Sequence, residues 1–111
     1  MLRRGQRIKK EEIARVISSG RGYYSPLANL KVQKTDKLSA FSVVVGAKIA
    51  KSAVLRNKLK RRVYHIIRKH FKTIDSGYLG VVFIQKKASN ALFAELEKDI
   101  LYLLKSGGLI K

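Results

Sequence analysis

Hydrophobic positions along this chain recur with two periods, and each change of period marks the boundary of a predicted element. In residues 11–17, Ile13, Val16 and Ile17 share one face at helical spacing, and Gly20 stands where such a helix ends. Gly20-Arg21-Gly22 and Ser25-Pro26 are turn signals. Residues 27–34 alternate, with Leu30 and Val32 on one side, and predict a first strand; residues 38–45, rich in β-branched and aromatic side chains, predict a second. The short link Thr35-Asp36-Lys37 predicts that the two pair as an antiparallel hairpin. Leu55, Leu59, Val63, Ile66 and Ile67 then recur at three- and four-residue steps, which predicts a helix from Lys51 or Ser52 to His70.

Asp75-Ser76-Gly77 interrupts the chain before an apolar run over 78–84, read as a buried third strand. Ser89 or Asn90 is placed to cap a last helix whose stripe is Leu92, Leu96, Ile100, Leu103 and Leu104, ended by Gly107-Gly108. The order α-β-β-α-β-α predicts an α/β fold of the two-layer α+β sandwich type, with a central sheet of three or four strands covered by helices. A length of 111 residues fits one domain, 1–111, with a basic arm over 1–10.

Charge narrows the function. Lys and Arg number 25 against 7 Asp and Glu, a formal charge of +18 that self-repels in the compact state and calls for a polyanionic partner. Nucleic acid fits best, since each phosphate contact releases condensed counterions. No segment approaches the roughly 18 apolar residues of a membrane span, and the basic start lacks the apolar stretch of a signal peptide. With no cysteine, disulfides, thiolate zinc sites and cysteine nucleophiles drop out together.

The cations are concentrated. No acid lies between Asp36 and Asp75, while Glu95, Glu97 and Asp99 collect on the last helix, expected to face away from the polyanion, with Lys98 and solvent as the partners of Glu95 and Asp99. At roughly 100° per residue, Asn57, Arg61, Tyr64 and Arg68 fall opposite the apolar stripe of the long helix, with Lys60 beside them and Lys58, Arg62 and Lys69 along a flank. A solvated face usually alternates in sign; one sign over such a length points to an anion. Charge by itself leaves RNA and DNA both open as the partner, though nothing matches a helix-turn-helix, zinc finger or basic zipper of the DNA-binding kind. Tyr23, Tyr24, Phe41, Tyr64 and Phe71 are candidates to stack on unpaired bases, against core packing as the plainer role, which is favoured for Phe41.

Catalytic chemistry is sparse. His65 and His70 are separated by roughly 140° of helix, too far round to share a metal, and His70 falls at the core edge. Glu11 and Glu12 suit the first turn of a helix. No nucleotide-cradling glycine loop is present. No catalytic residue and no metal site is assigned.

The run Arg56-Asn57-Lys58-Leu59-Lys60-Arg61 resembles the signature of the bacterial ribonuclease P protein subunit family, an Arg-Asn-Arg-like core followed by an apolar residue and Lys-Arg. Val43-Val44-Val45-Gly46-Ala47-Lys48, Ala53, the Ser25-Pro26 turn and Lys86-Lys87-Ala88-Ser89 are similar in order and spacing, so the resemblance covers almost the whole chain. It implies an accessory RNA-binding subunit of a cytoplasmic ribonucleoprotein that removes the 5′ leader of precursor tRNA, with catalysis and Mg2+ held mainly by the RNA subunit and substrate. It also implies a left-handed crossover around the long helix, against the general rule, and a protein monomeric within the ribonucleoprotein. Carried to this chain, Lys48, Arg56, Asn57, Lys58, Lys60 and Arg61 are expected on RNA, with Arg62 and Arg68 on the same helix; Ile13, Ile17, Lys31 and Tyr64 are candidates for the leader cleft. Ile13 and Ile17 stand where the family commonly has phenylalanine, and Tyr64 where it usually has a basic residue. The competing reading is a small ribosomal or RNA-chaperone protein of similar fold.

Overall fold

The computed structural model describes residues 7–110; most of the basic arm, residues 1–6, lies outside them. Helix α1 (Lys10–Ser19) leads through Gly20 into strand β1 (Arg21–Tyr24), followed by β2 (Ala28–Lys34), β3 (Ala40–Val44), helix α2 (Ala53–His70), β4 (Tyr78–Ile84) and helix α3 (Phe93–Ser106). The strands form one mixed sheet in the order β1-β2-β4-β3. Its β1 was missed in the sequence, where Gly20-Arg21-Gly22 reads as a turn.

The expected hairpin does not form. β4 lies between β2 and β3, antiparallel to the first over seven registered pairs and parallel to the second over five. The physical reason is visible in β4, whose residues are buried on both faces apart from Tyr78 and Phe83, which are half-buried. A strand apolar on both sides lowers the free energy most at the centre of a sheet, where both faces are covered and both edges paired. Ser39 secures the arrangement: its hydroxyl donates to the Asp75 carbonyl at 2.6 Å and accepts from the Tyr78 amide at 3.0 Å, tying the start of β3 to the start of β4.

Alternation along the strands divides the apolar residues into two cores. Leu30, Val32, Phe41, Val43, Val82 and Ile84 face α2 and α3, where Leu59, Val63, Ile66, Ile67, Leu96, Ile100, Leu103 and Leu104 complete the larger core. Ala40, Leu79 and Val81 face the other way and pack on Val16 and Ile8. The sandwich therefore has α2 and α3 on one face and α1 on the opposite one. Gly80 is required in β4 because a Cβ there would stand 2.8 Å from the Phe41 ring, which is fully buried and meets Phe71 edge-on at 6.0 Å. Phe41 is thus a core residue.

Helix α2 begins as predicted at Ser52, whose hydroxyl accepts from the Leu55 amide, and it carries basic residues in its last turn, as the macrodipole favours. Helix α3 begins later than Ser89 or Asn90. Those residues lie in or end a short 3-10 turn, Lys86–Asn90, and the Glu95 carboxylate instead accepts from the Leu92 amide at 2.9 Å. Among the described residues no helix is long and apolar enough to cross a membrane.

Candidate nucleic-acid interface

The outer face of α2 collects the cations. Asn57, Lys58, Arg61 and Arg68 are exposed, Lys60 and Arg62 are half-exposed at the margins, and Lys48 and Lys51 are exposed on the preceding loop. Among the described residues no carboxylate forms an ion pair with Lys48, Lys58, Lys60, Arg61, Arg62 or Arg68. The apolar stripe on the reverse side, from Leu59 to Ile67, anchors the helix on the sheet and leaves these side chains in solvent. A rigid helix bearing unpaired like charges is unfavourable alone and favourable against closely spaced phosphates.

Arg56 is used differently. Its Nη1 donates to the carbonyls of Ala50 at 2.8 Å and Lys51 at 2.9 Å, clamping the loop that enters α2. These charge-assisted bonds hold the loop bearing Lys48 and Lys51 against the helix. The motif arginine therefore shapes the basic surface from within.

Tyr64 is a correction. Its predicted place opposite the apolar stripe is wrong: the residue is 7% exposed and belongs to the larger core. Its hydroxyl accepts from the Val43 amide at 3.1 Å, on the strand at the end of the sheet order. The Arg7 guanidinium lies over its ring at 5.1 Å, while residue 7 pairs with Phe41 as a short parallel extension of the sheet. Tyr64 thus seals the β3 edge and has little surface to offer a base. An idealised 100° rotation missed this because Tyr64 sits beside Ile67 on the rim of the stripe, where the sheet edge reaches round to cover it.

The other cleft candidates come together on the α1 face. Ile13 is half-buried against the smaller core, Ile17 is 38% exposed, and Lys31 Nζ donates to the Ile17 carbonyl at 2.7 Å, anchoring the end of α1 to β2. Beside them the register places Asn29, Phe83 and Val44 in one row across β2, β4 and β3. Phe83 and Val44 are only partly covered, so they add an apolar floor and an aromatic ring to the cleft. Sequence reading missed both; the alternation of β4 was the available signal, but only the strand order shows which face Phe83 joins.

The acids of α3 are not left to solvent. Asp99 accepts from the Leu27 amide at 2.9 Å, Glu95 caps its own helix, and Glu97 Oε2 meets Lys69 Nζ and His70 Nε2, each at 3.1 Å. Hydrogen bonds from His70 and then Lys69 hold the Glu97 carboxyl below the usual carboxylate range. Placing α3 beside α2 joins these charges. Among the described residues no group of three or more His, Cys, Asp or Glu is arranged to hold a metal ion.

A family model described as Ribonuclease P matches residues 2–107. The chain belongs to the ribonuclease P protein family. A Ribonuclease P protein component of Dehalococcoides mccartyi is 33% identical over 99 residues, covering 86% of this chain and 78% of the relative. The fold agrees with the ribonuclease P protein of Thermotoga maritima at a TM-score of 0.82 and 27% identity, over 90% of this chain and 96% of that one. A ribonuclease P protein structure from Staphylococcus aureus gives 0.86 at 19% identity, over 96% and 98%, a likeness of fold alone. The family membership thus agrees with the resemblance at Arg56–Arg61 and with the helix that carries it.

Proposed function

We propose that this chain is the accessory protein subunit of ribonuclease P, which binds the catalytic RNA and the 5′ leader of precursor tRNA during Mg2+-dependent endonucleolytic removal of that leader. The observation that carries the reading is the match of a ribonuclease P family model over residues 2–107 of a chain whose long helix presents unpaired cations outward. In this reading Lys48, Asn57, Lys58, Lys60, Arg61, Arg62 and Arg68 lie against RNA phosphates and sugars, with Arg56 positioning their loop. The leader occupies the α1 face, on Ile13, Ile17, Phe83 and Val44, beside Lys31. Mg2+ ions held mainly by the RNA subunit and substrate supply the hydrolytic chemistry in the cytoplasm. The α3 carboxylates support that division, being committed to the Leu27 amide, to a helix cap and to an ion pair. The protein's part is screening: neutralised phosphates let RNA subunit and substrate approach at lower magnesium.

The test is reconstitution. The purified chain alone is expected to leave precursor tRNA intact and to stimulate cleavage by the ribonuclease P RNA at low Mg2+. No stimulation by folded protein overturns the proposal, as does cleavage that survives complete removal of RNA. Arg61→Ala is expected to reduce the slope of log affinity against log salt by about 0.7–0.9, one phosphate contact; an unchanged slope removes Arg61 from the interface.

A further inference from the structure

A second cationic site lies away from α2, at the end of the sheet where α3 terminates. A cleft of about 480 Å³ is lined by Arg21, Tyr23, Val32, Lys34, Tyr78 and Gly107. The register explains the set: Arg21 pairs with Val32 and Lys34 with Tyr78, so these side chains share one sheet face, and Tyr23 projects from that face two residues along β1. Tyr23 and Tyr78 are half-buried against the larger core, which holds their rings in place. Gly107 adds no side chain, and a Cβ there would already touch the Tyr23 ring at 3.4 Å.

The cations have no other employment in the fold. Arg21 and Lys34 are exposed, and among the described residues neither forms an ion pair. The negative end of α3 does not absorb them, because the carbonyls of Leu103, Leu104 and Lys105 already accept from the amides of Gly107, Gly108, Leu109 and Ile110. Among the described residues no carboxylate lines the cleft. The volume lies in the range that holds a small ligand.

We infer that this cleft binds one nucleotide of single-stranded RNA, its base on the Tyr23 and Tyr78 rings and its phosphate between Arg21 and Lys34. Fixed aromatic rings stack any base without sequence preference. The Arg21 guanidinium can grip a phosphate with two parallel bonds while Lys34 adds a point charge. The site extends RNA contact beyond α2 and the α1 cleft, and it rests on the proposed RNA-binding function only for the source of its ligand. Unpaired segments of the catalytic RNA and of the precursor leader carry the same chemistry.

The test uses the full chain, isotope-labelled for amide resonances, titrated with a uridine RNA of about eight nucleotides. Amides of Tyr23, Tyr78 and Gly107 are expected to shift, and to shift equally in Lys58→Glu/Arg61→Glu. In Arg21→Glu/Lys34→Glu those shifts disappear, and the salt slope falls by about 0.7–1.4 for one or two contacts. Tyr78→Leu, which keeps apolar packing, is expected to weaken binding without lowering the slope. Shifts confined to α2, or an unaffected Arg21→Glu/Lys34→Glu variant, overturn the inference. In the assembled ribonucleoprotein, 4-thiouridine placed in the leader or in the catalytic RNA identifies the source by crosslinking to Tyr23 or Tyr78; a crosslink from neither overturns it. Stimulation of cleavage by the unaltered chain, measured alongside, separates failure of this site from failure of the proposed function.

Discussion

Tyr64→Phe removes a single oxygen whose partner is known. The hydroxyl accepts from the Val43 amide at 3.1 Å, with Tyr64 7% exposed and Val43 4% exposed. The phenylalanine ring fills the same space and still lies beneath the Arg7 guanidinium, so packing and cation–π contact persist. The change therefore isolates the cost of leaving a buried amide without an acceptor, about 1–3 kcal/mol. For a chain of this size each kcal/mol moves Tm by about 3–5 °C, giving an expected fall of roughly 3–15 °C. Urea unfolding followed by circular dichroism is the assay: the midpoint should drop with an unchanged m-value, while affinity for the catalytic RNA, measured on folded protein, stays within twofold. A variant as stable as the parent but weaker on RNA would refute the reasoning, since the hydroxyl would then serve the ligand and not the edge of β3.

Arg56→Ala should destabilise the chain by about 1–3 kcal/mol, because the Ala50 and Lys51 carbonyls lose a charged donor; Arg56→Lys should recover only part, because a flexible, strongly hydrated ammonium replaces the fixed Nη1 that serves both carbonyls. Equal midpoints for Arg56→Ala and the parent would place that side chain in solvent. Glu97 makes a prediction about acid. Its carboxyl is held below its ordinary range by His70 and Lys69, so its stabilisation is complete above the unfolded value of about 4.3 and is lost as pH falls through the lowered folded value. Glu97→Gln should therefore flatten stability against pH below about 4.3 and reduce stability at neutral pH; parallel acid limbs for variant and parent would exclude the ion pair as their cause.

Local signals carried much of this protein. The bounds of α2 follow from the Ser52 cap and the three- and four-residue recurrence of Leu59, Val63, Ile66 and Ile67, and β4 occupies the very run, Tyr78–Ile84, that apolar continuity marks. The exposed cations of the Arg56–Arg61 run were legible for the same reason: a helix separates its faces by rotation alone. Pairing was not legible in that way. The link at Thr35-Asp36-Lys37 favours a hairpin locally, yet inserting β4 covers both faces and pairs both edges of the most apolar strand, a gain that no short window of residues contains.

The same division holds at the candidate site. Sequence by itself determined the charge, its concentration on one helix and the residues able to meet phosphate. Only the tertiary structure decided that Arg56 clamps a loop, that Tyr64 closes the sheet, that Phe83 joins Ile13 and that Arg21, Lys34 and the tyrosines converge. Apart from the Arg56 clamp, whose partners lie five and six residues back, these roles depend on neighbours distant in sequence, and burial and partnering are properties of the assembled surface, which local periodicity does not contain.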